Sequence, residues 1–223
     1  MNISKRDFDK EAASWDDVPA RVELAHDVAD AIANEITLTS DMDVLDFGCG
    51  TGLVTLQLQP FVRSITGIDS SQGMLDVLRT KIENRKLNNV RIQYRDIERG
   101  DMLERSYNLV VSSMTLHHIR KTGPLLEQFH GICAPGGYLC IADLDPDNGR
   151  FHENNDGIFH PGFDRAVLRR DVAEAGFDDI RDRTAAKIIK MGTDGENRTF
   201  TVFLITGRKK QRMAYPSAGL SGG

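Results

Sequence analysis

The chain has 223 residues, of which 40% are hydrophobic and 27% are charged, so it can bury one sizeable core but is short for two full domains. Its formal net charge of -5 argues against a surface built mainly to hold phosphate backbones, and nucleic acid is not expected as a partner. Residues 1–20 contain no apolar core of the length that a signal peptide needs, and no later run approaches a membrane span. We therefore predict a cytoplasmic protein that makes no contact with membranes.

Predicted helices and strands alternate over the first two thirds of the chain. Residues 19–35 place apolar side chains at spacings of three and four, which predicts an amphipathic helix. The predicted strands then cover 44–47, 65–68, 90–94, 107–111 and 137–142, and the predicted helices begin near Leu53, span 72–85 and lie around 124–133. Short strands that alternate with helices imply crossover connections and a mainly parallel sheet.

The last third of the chain begins with a long loop, 144–163, that carries Gly, Pro, Asn and Asp at loop density but also three phenylalanines. Such a loop favours a substrate-side lid. A helix over 164–175 follows, and the β-rich stretches 180–191 and 198–207 flank a turn at 192–196, which predicts a hairpin. One member of this hairpin must add an antiparallel strand to the sheet. We expect one domain over 1–207, with 1–35 as an N-terminal lid and helix, and a disordered tail over 208–223.

The segment that carries the functional argument is Gly48-Cys49-Gly50-Thr51-Gly52, between a strand that ends in Asp46-Phe47 and a helix. Glycines in this position let the backbone approach a ligand closely, and the helix N-terminus faces that ligand. Nicotinamide and flavin dinucleotides and S-adenosylmethionine all bind in this way. A dinucleotide site would put its third glycine where Leu53 stands, so the spacing disfavours a nicotinamide-dependent oxidoreductase.

Residues 44–52 closely resemble the first motif of the class I S-adenosylmethionine-dependent methyltransferases, and further landmarks extend the resemblance over roughly residues 42–145, in the ubiquinone-biosynthesis-like branch. The resemblance implies a Rossmann-like three-layer fold with a seven-stranded, mainly parallel sheet, and S-adenosyl-L-methionine as cofactor. It also implies that the cofactor is bound by residues of the first four strand ends, namely Asp46, Gly48, Cys49, Gly50, Asp69, Ser70, Met74, Asp96, Ile97 and Ser113.

Three carboxylates have specific roles in this resemblance. Asp69 would accept hydrogen bonds from the ribose hydroxyls, Asp96 from the adenine amino group, and Asp46 would face the ammonium of the methionine portion. A carboxylate that ends a parallel strand points into the crevice where ligands of such folds lie. Helix capping is the competing explanation for Asp69 and Asp96.

The three cysteines, Cys49, Cys133 and Cys140, cannot all pair and show no zinc-type spacing, so we expect a reducing compartment and no metal site. Cys49 is expected to be a small packed side chain rather than a reactive thiol. After the fourth strand, Ser113-Met114-Thr115-Leu116 lacks both the Asn/Asp-Pro-Pro-Tyr/Phe motif of amino-group methylation and the acidic ligand of magnesium-dependent catechol-type enzymes. The chain is therefore expected to be metal-independent.

The histidines are candidates for the base that removes a proton from the acceptor, because neutral imidazole is matched to this task near pH 7. His118 and His117 follow the fourth strand, where the alternative is a packing or capping role, and His152 lies in the long loop. Phe159 and His160, also in this loop, are substrate-side candidates, and a surface turn is the alternative for His160. A metal site built from these histidines and Asp143 has no support from ligand spacing.

The N-terminal segment from Phe8 to Asp16 resembles the Phe/Tyr-x-x-x-Ala-x-x-Trp/Tyr opening that folds over the cofactor in relatives. Trp15 would then form a lid with Phe8, and Arg21 could meet the cofactor carboxylate. The alternative is that Trp15 anchors the first helix.

The sequence thus predicts a methyltransferase that acts on oxygen, sulfur or carbon of a small molecule. The alternative from another class is a regulatory protein that binds S-adenosylmethionine without turnover. Residues 1–20 and 144–163 would build the acceptor pocket, and neither the acceptor nor the oligomeric state follows from the motifs.

Overall fold

A computed structural model describes residues 6–152, 154–191 and 195–211. Within these ranges, seven strands form one sheet in the order β3-β2-β1-β4-β5-β7-β6. The strands are β1 Asp43–Phe47, β2 Ser64–Asp69, β3 Val90–Tyr94, β4 Tyr107–Ser113, β5 Cys133–Leu144, β6 Asp178–Met191 and β7 Asn197–Arg208. Strands β1 to β5 pair in parallel, whereas β7 runs antiparallel to both β5 and β6. The predicted fold class is confirmed, and β7 is the one antiparallel strand of the described sheet.

Helices cover both faces of the sheet and create two apolar layers. The described helices are α1 Phe8–Glu11, α2 Pro19–Glu35, α3 Leu53–Leu58, α4 Gln72–Arg85, α5 Thr122–Ile132 and α6 Arg165–Glu174. On one face Ile32 and Leu58 pack in the core layer that includes Val111, and on the other Leu125 and Phe129 pack in the layer that includes Phe203. This is the expected three-layer arrangement. No helix in the described part of the chain combines the length and the apolarity that a membrane span needs.

The predicted helix boundaries agree best with the structure where the sequence carries a strong capping signal. Helices α2 and α4 have the predicted limits, because α2 starts with Pro19 and the Ser71 side chain accepts a hydrogen bond from the first turn of α4. The predicted helix end at Cys133 was wrong. Cys133 pairs with Tyr107 as the first residue of β5, which is 12 residues long rather than the predicted six.

The C-terminal hairpin is confirmed by the pairing of β6 with β7, from Asp178 opposite Arg208 to Met191 opposite Asn197. Arg208, which the sequence assigned to the tail, is the last residue of β7, and Lys209 continues through backbone hydrogen bonds to Gly136 and Gly137. Residues 192–194 of the turn predicted at 192–196, and the tail from residue 212, lie outside the described residues.

The carboxyl ends of β1, β2, β4 and β5 meet at one edge of the sheet. Between β1 and β4 the strand order reverses direction, since β2 and β3 lie on one side of β1 and β4 and β5 on the other. This reversal creates a crevice at the carboxyl edge, which is where open α/β sheets bind their ligands.

Candidate active site

A cleft of about 1550 Å³ opens at this edge. It brings together every residue that the sequence proposed for the cofactor, both candidate catalytic histidines and Phe159. His160 does not line the cleft. Its Nε2 donates a hydrogen bond to the Ile119 carbonyl at 3.0 Å, and its ring lies against Phe163.

The glycine loop between β1 and α3 needs glycine for two different reasons. Gly48 and Gly50 have φ angles of 73° and 53°, in the left-handed region. A Cβ on Gly48 would come within 2.2 Å of Oγ1 of Thr115, whereas a Cβ on Gly50 would meet nothing nearer than Sδ of Met74 at 4.0 Å. Gly48 therefore permits close packing of the loop on the β4 end, and Gly50 leaves a backbone surface open to the cleft.

Asp46, the penultimate residue of β1, is a buried carboxylate that accepts a hydrogen bond from a neutral side chain. Oγ1 of Thr55 donates to it at 2.5 Å. Burial raises the pKa of Asp46 to about 6, and the nearby charge of Asp69 acts in the same direction. A cation that reached this carboxylate would stabilise its ionised form.

Asp69 ends β2 and connects the glycine loop to the loop before α4 through hydrogen bonds. Its Oδ2 accepts from the Gly50 amide at 2.8 Å, and its Oδ1 accepts from the Ser71 amide at 2.8 Å. The helix-capping alternative for Asp69 does not hold, because Ser71 is the residue that caps α4. Burial raises the pKa of Asp69, although these backbone hydrogen bonds favour its charge.

Asp96 follows β3 and is almost fully buried. It accepts a hydrogen bond from the Glu98 amide at 3.1 Å and lies 3.4 Å from Arg99, so the capping interaction considered for it is present. Ile97, next to it, and the buried Met74 contribute apolar surface to the cleft.

The N-terminal segment lies over the cleft and is fastened by two carboxylates. Asp9 accepts hydrogen bonds from Oγ of Ser71 at 2.5 Å and from the Gly73 amide at 2.8 Å, so it satisfies an amide in the first turn of α4. Asp16 accepts from Oγ1 of Thr51 at 2.5 Å and pairs with Lys81. These contacts hold residues 8–17 against the glycine loop and α4.

Aromatic side chains of this segment face inward. The Phe8 ring lies 5.0 Å from the His118 ring in an edge-to-face arrangement. The Arg21 guanidinium stacks 3.8 Å from the Trp15 ring and lies 3.7 Å from Glu11. Trp15 thus lines the cleft and packs on α2 through Arg21, and its role as a lid over the cofactor stays a prediction.

His117 and His118 differ sharply in their surroundings. Nδ1 of His117 is 2.7 Å from Oδ1 of Asp143, and its Nε2 is buried without a hydrogen-bond partner among the described residues. Nδ1 of His118 donates to the Gly157 carbonyl at 2.9 Å, and burial together with the neighbouring His117 lowers the pKa of His118 to about 3.

Asp143 as the partner of His117 was missed by the sequence interpretation, which considered it only in a metal site. It occupies the end of β5, next to the β4 end that precedes His117, and this adjacency was the available signal. Within the described residues, no group of three or more His, Cys, Asp or Glu side chains is arranged to hold a metal ion.

Comparisons with known proteins agree with this geometry. Residues 44–137 match the family model described as a methyltransferase domain. An uncharacterized methyltransferase of Schizosaccharomyces pombe is 32% identical over 59% of this chain and 54% of its own length. The malonyl-[acyl-carrier protein] O-methyltransferase of Bacillus cereus is 28% identical over 76% of this chain and 60% of its own length. The chain thus spans less than two thirds of the length of these relatives.

Among solved structures, phosphoethanolamine N-methyltransferase 2 of Haemonchus contortus in complex with S-adenosyl-L-methionine superposes with a TM-score of 0.65. The match covers 82% of this chain and 52% of that protein, at 18% identity, and it supports the fold.

Proposed function

We propose that the protein, whose residues 44–137 match the model of a methyltransferase domain, is a class I S-adenosylmethionine-dependent methyltransferase. It binds S-adenosyl-L-methionine in the cleft and transfers its methyl group, without a metal ion, to oxygen, sulfur or carbon of a small molecule. The cytoplasmic location and the small-molecule acceptor stay predictions from the sequence.

The observation that carries this proposal is the pairing of the glycine loop with Asp69 at the reversal point of the sheet. Asp69 accepts from the Gly50 amide and still faces the cleft, so its remaining lone pairs can accept from the two ribose hydroxyls. Asp96 and Ile97 would bind the adenine over Met74. Asp46 would stabilise the ammonium of the methionine portion, which compensates for the burial of this carboxylate.

The cofactor, when bound, supplies a methyl group that is already activated on a sulfonium. The protein must align the acceptor, exclude water and remove a proton. Ser113 at the end of β4 and the inward-facing Phe8 and Trp15 would enclose the transferring methyl. Alignment of this kind can account for roughly 7–11 kcal/mol of a barrier.

Of the two candidate bases, His117 fits the task better than His118. Asp143 fixes the tautomer of His117 with the proton on Nδ1, which leaves Nε2 as the base, and its carboxylate stabilises the imidazolium that forms. His118 has no carboxylate partner among its described hydrogen bonds, and its pKa near 3 makes it a weak base. We assign His118 to packing against Phe8.

Formation of S-adenosylhomocysteine against a panel of phenols, thiols and carbon acids tests the proposal. Turnover that is lost in His117→Gln, with cofactor binding retained, supports it. Saturable cofactor binding with no product from any acceptor class would favour the non-catalytic regulatory protein instead.

A further inference from the structure

A third imidazole, that of His152, lines the cleft beside the proposed base. Its ring centroid is 5.1 Å from that of His117 and 6.1 Å from that of His118. His152 comes from the loop after β5, and the function proposed above gives it no role.

Two nitrogen atoms in this cluster lack hydrogen-bond partners although they are buried. They are Nε2 of His117 and Nε2 of His152, and neither has a partner among the described residues. Buried polar atoms are almost always paired, so two orphans in neighbouring rings, in a cleft, indicate that a ligand group completes the site. Nδ1 of His117 is hydrogen-bonded to Asp143, so the lone pair on Nε2 is the acceptor that His117 has left for a ligand.

The loop that carries His152 is held firmly enough to position it. The Asp147 carboxylate accepts from the Gly149 amide at 2.9 Å and from the Phe151 amide at 2.7 Å. The Phe151 ring packs on Phe200, and Lys190 donates to the Phe151 carbonyl at 3.0 Å. His152 thus directly follows a turn that is fixed by hydrogen bonds and packing. A functional side chain needs such support to be positioned accurately.

The charge state of His152 follows from its neighbours. The pKa of His152 is lowered to about 4, mainly by burial. His117 in its protonated form and the charges of Arg6 and Lys190 also lower this pKa, whereas the charge of Asp147 raises it. His152 is therefore neutral near pH 7 and can carry its single ring proton on Nε2.

We propose that a hydroxyl group of the acceptor binds between His117 and His152, donating its proton to Nε2 of His117 and accepting a hydrogen bond from Nε2 of His152. This inference rests on the proposed function and selects among its three accepting atoms. A hydroxyl is both donor and acceptor, so one group satisfies both orphan nitrogens and keeps a second lone pair for the methyl.

Other acceptor groups fit this pair of nitrogens poorly. A carboxylate has no proton for the lone pair of His117, a thiol is weak as donor and as acceptor, and a carbon acid has no lone pair for His152. In the transfer itself, the hydroxyl oxygen forms a bond to the methyl carbon while the carbon–sulfur bond breaks with its electron pair on sulfur. The hydroxyl proton moves to Nε2 of His117, and Asp143 balances the imidazolium. His152 is the positioning residue.

Nitrogen-15 NMR of histidine-labelled full-length protein, saturated with S-adenosylhomocysteine, tests this inference with phenol, thiophenol and benzoate as probes. Phenol should shift the Nε2 resonances of His117 and His152 in a saturable way. His152→Phe, which removes the donor, should weaken phenol binding about tenfold, as expected for one lost hydrogen bond, and His152→Gln, which keeps a donor, should restore part of it. The control is His26→Asn, an exposed histidine of α2, which should leave phenol binding unchanged.

Benzoate or thiophenol shifting both resonances as strongly as phenol would overturn the inference, as would phenol that leaves both unmoved. Calorimetric binding of S-adenosylhomocysteine to the same sample separates the two levels of the account. If S-adenosylhomocysteine does not bind, the proposed function fails. If it binds and phenol shifts the resonance of neither histidine, only the proposed hydroxyl site fails.

Discussion

Nδ1 of His117 lies 2.7 Å from Oδ1 of Asp143, and both side chains are almost fully buried. Burial alone would raise the pKa of Asp143, but attraction to His117 in its protonated form and the hydrogen bonds from its ring and backbone outweigh this effect and lower the pKa. A buried carboxylate that is stabilised in its charged form can in turn stabilise a protonated imidazole.

Asp143→Asn should therefore lower kcat by roughly 10²-fold or more, because the amide neither fixes the tautomer of His117 nor balances the imidazolium. Binding of S-adenosylmethionine should be unchanged. Asp145→Asn is the matched control, since Asp145 pairs with Arg165 outside the cleft and should affect stability alone. Equal rates for Asp143→Asn and wild type in steady-state assays would contradict the role of this pair.

Asp69→Ala should weaken S-adenosylmethionine binding about tenfold or more, since each hydrogen bond to a charged group contributes about 1.5–3 kcal/mol. Isothermal titration measures this change. Asp76→Ala removes an exposed acid from the outer face of α4 and is the control. Similar affinities for the two variants would mean that Asp69 does not hold the ribose.

Gly48→Ala should destabilise the fold by about 1–3 kcal/mol, because the residue has a φ of 73° and its Cβ would overlap the Thr115 side chain. Gly123→Ala, in the first turn of α5, meets nothing within 4 Å and should change stability by less than about 1 kcal/mol. Urea unfolding compares the two. A Gly48→Ala variant as stable as Gly123→Ala would refute the close packing of the glycine loop.

Asp46 gives a pH dependence whose sign is fixed by its environment. Burial raises the pKa of this carboxyl from 3.8 to about 6, so the folded chain holds the proton more tightly than the unfolded chain. The resulting stabilisation is fully present below pH 3.8 and is lost as pH rises through about 6. Asp46→Asn, which stays neutral, should therefore gain stability relative to wild type as pH rises from about 4 to 7 in thermal unfolding.

The same carboxylate should act oppositely on the cofactor, because the ammonium favours the ionised form. Wild-type affinity for S-adenosylmethionine should rise with pH through about 6, and Asp46→Asn should lack this rise. Parallel pH dependence in both proteins would show that another group titrates.

The contacts of Asp9 predict a kinetic effect of the N-terminal segment. Asp9→Ala removes the hydrogen bonds to Ser71 and Gly73, at a cost of about 1 kcal/mol, and should speed dissociation of S-adenosylhomocysteine several-fold in stopped-flow experiments. Lys10→Ala, which removes only the exposed pair with Asp7, is the control and should leave the dissociation rate unchanged. A rate unaffected by Asp9→Ala would mean that residues 8–17 do not retain the ligand.

The site residues at strand ends could be predicted from the sequence. The site residues in long loops could not. Asp46, Gly48 and Asp69 lie at strand ends in a local pattern of hydrophobic runs and glycines, so their meeting at one sheet edge follows from parallel topology. His152 lies 35 residues beyond His117 in an irregular loop, and no periodicity determines where its ring lies.

His160 was proposed as a substrate-side residue, but it does not line the cleft. It stands in the same loop and at a loop-to-helix junction, yet a hydrogen bond to the Ile119 carbonyl turns it away from the cleft. Which histidine of a loop faces a cleft depends on backbone partners such as these, which residue type and spacing do not encode.

Calorimetric titration of the full-length protein with S-adenosylmethionine and S-adenosylhomocysteine tests the central claim most directly. Saturable binding of both, with one site per chain and a marked loss in Asp69→Ala, is the predicted result. Absence of saturable binding below millimolar concentration, or equal binding of NADH, would contradict it.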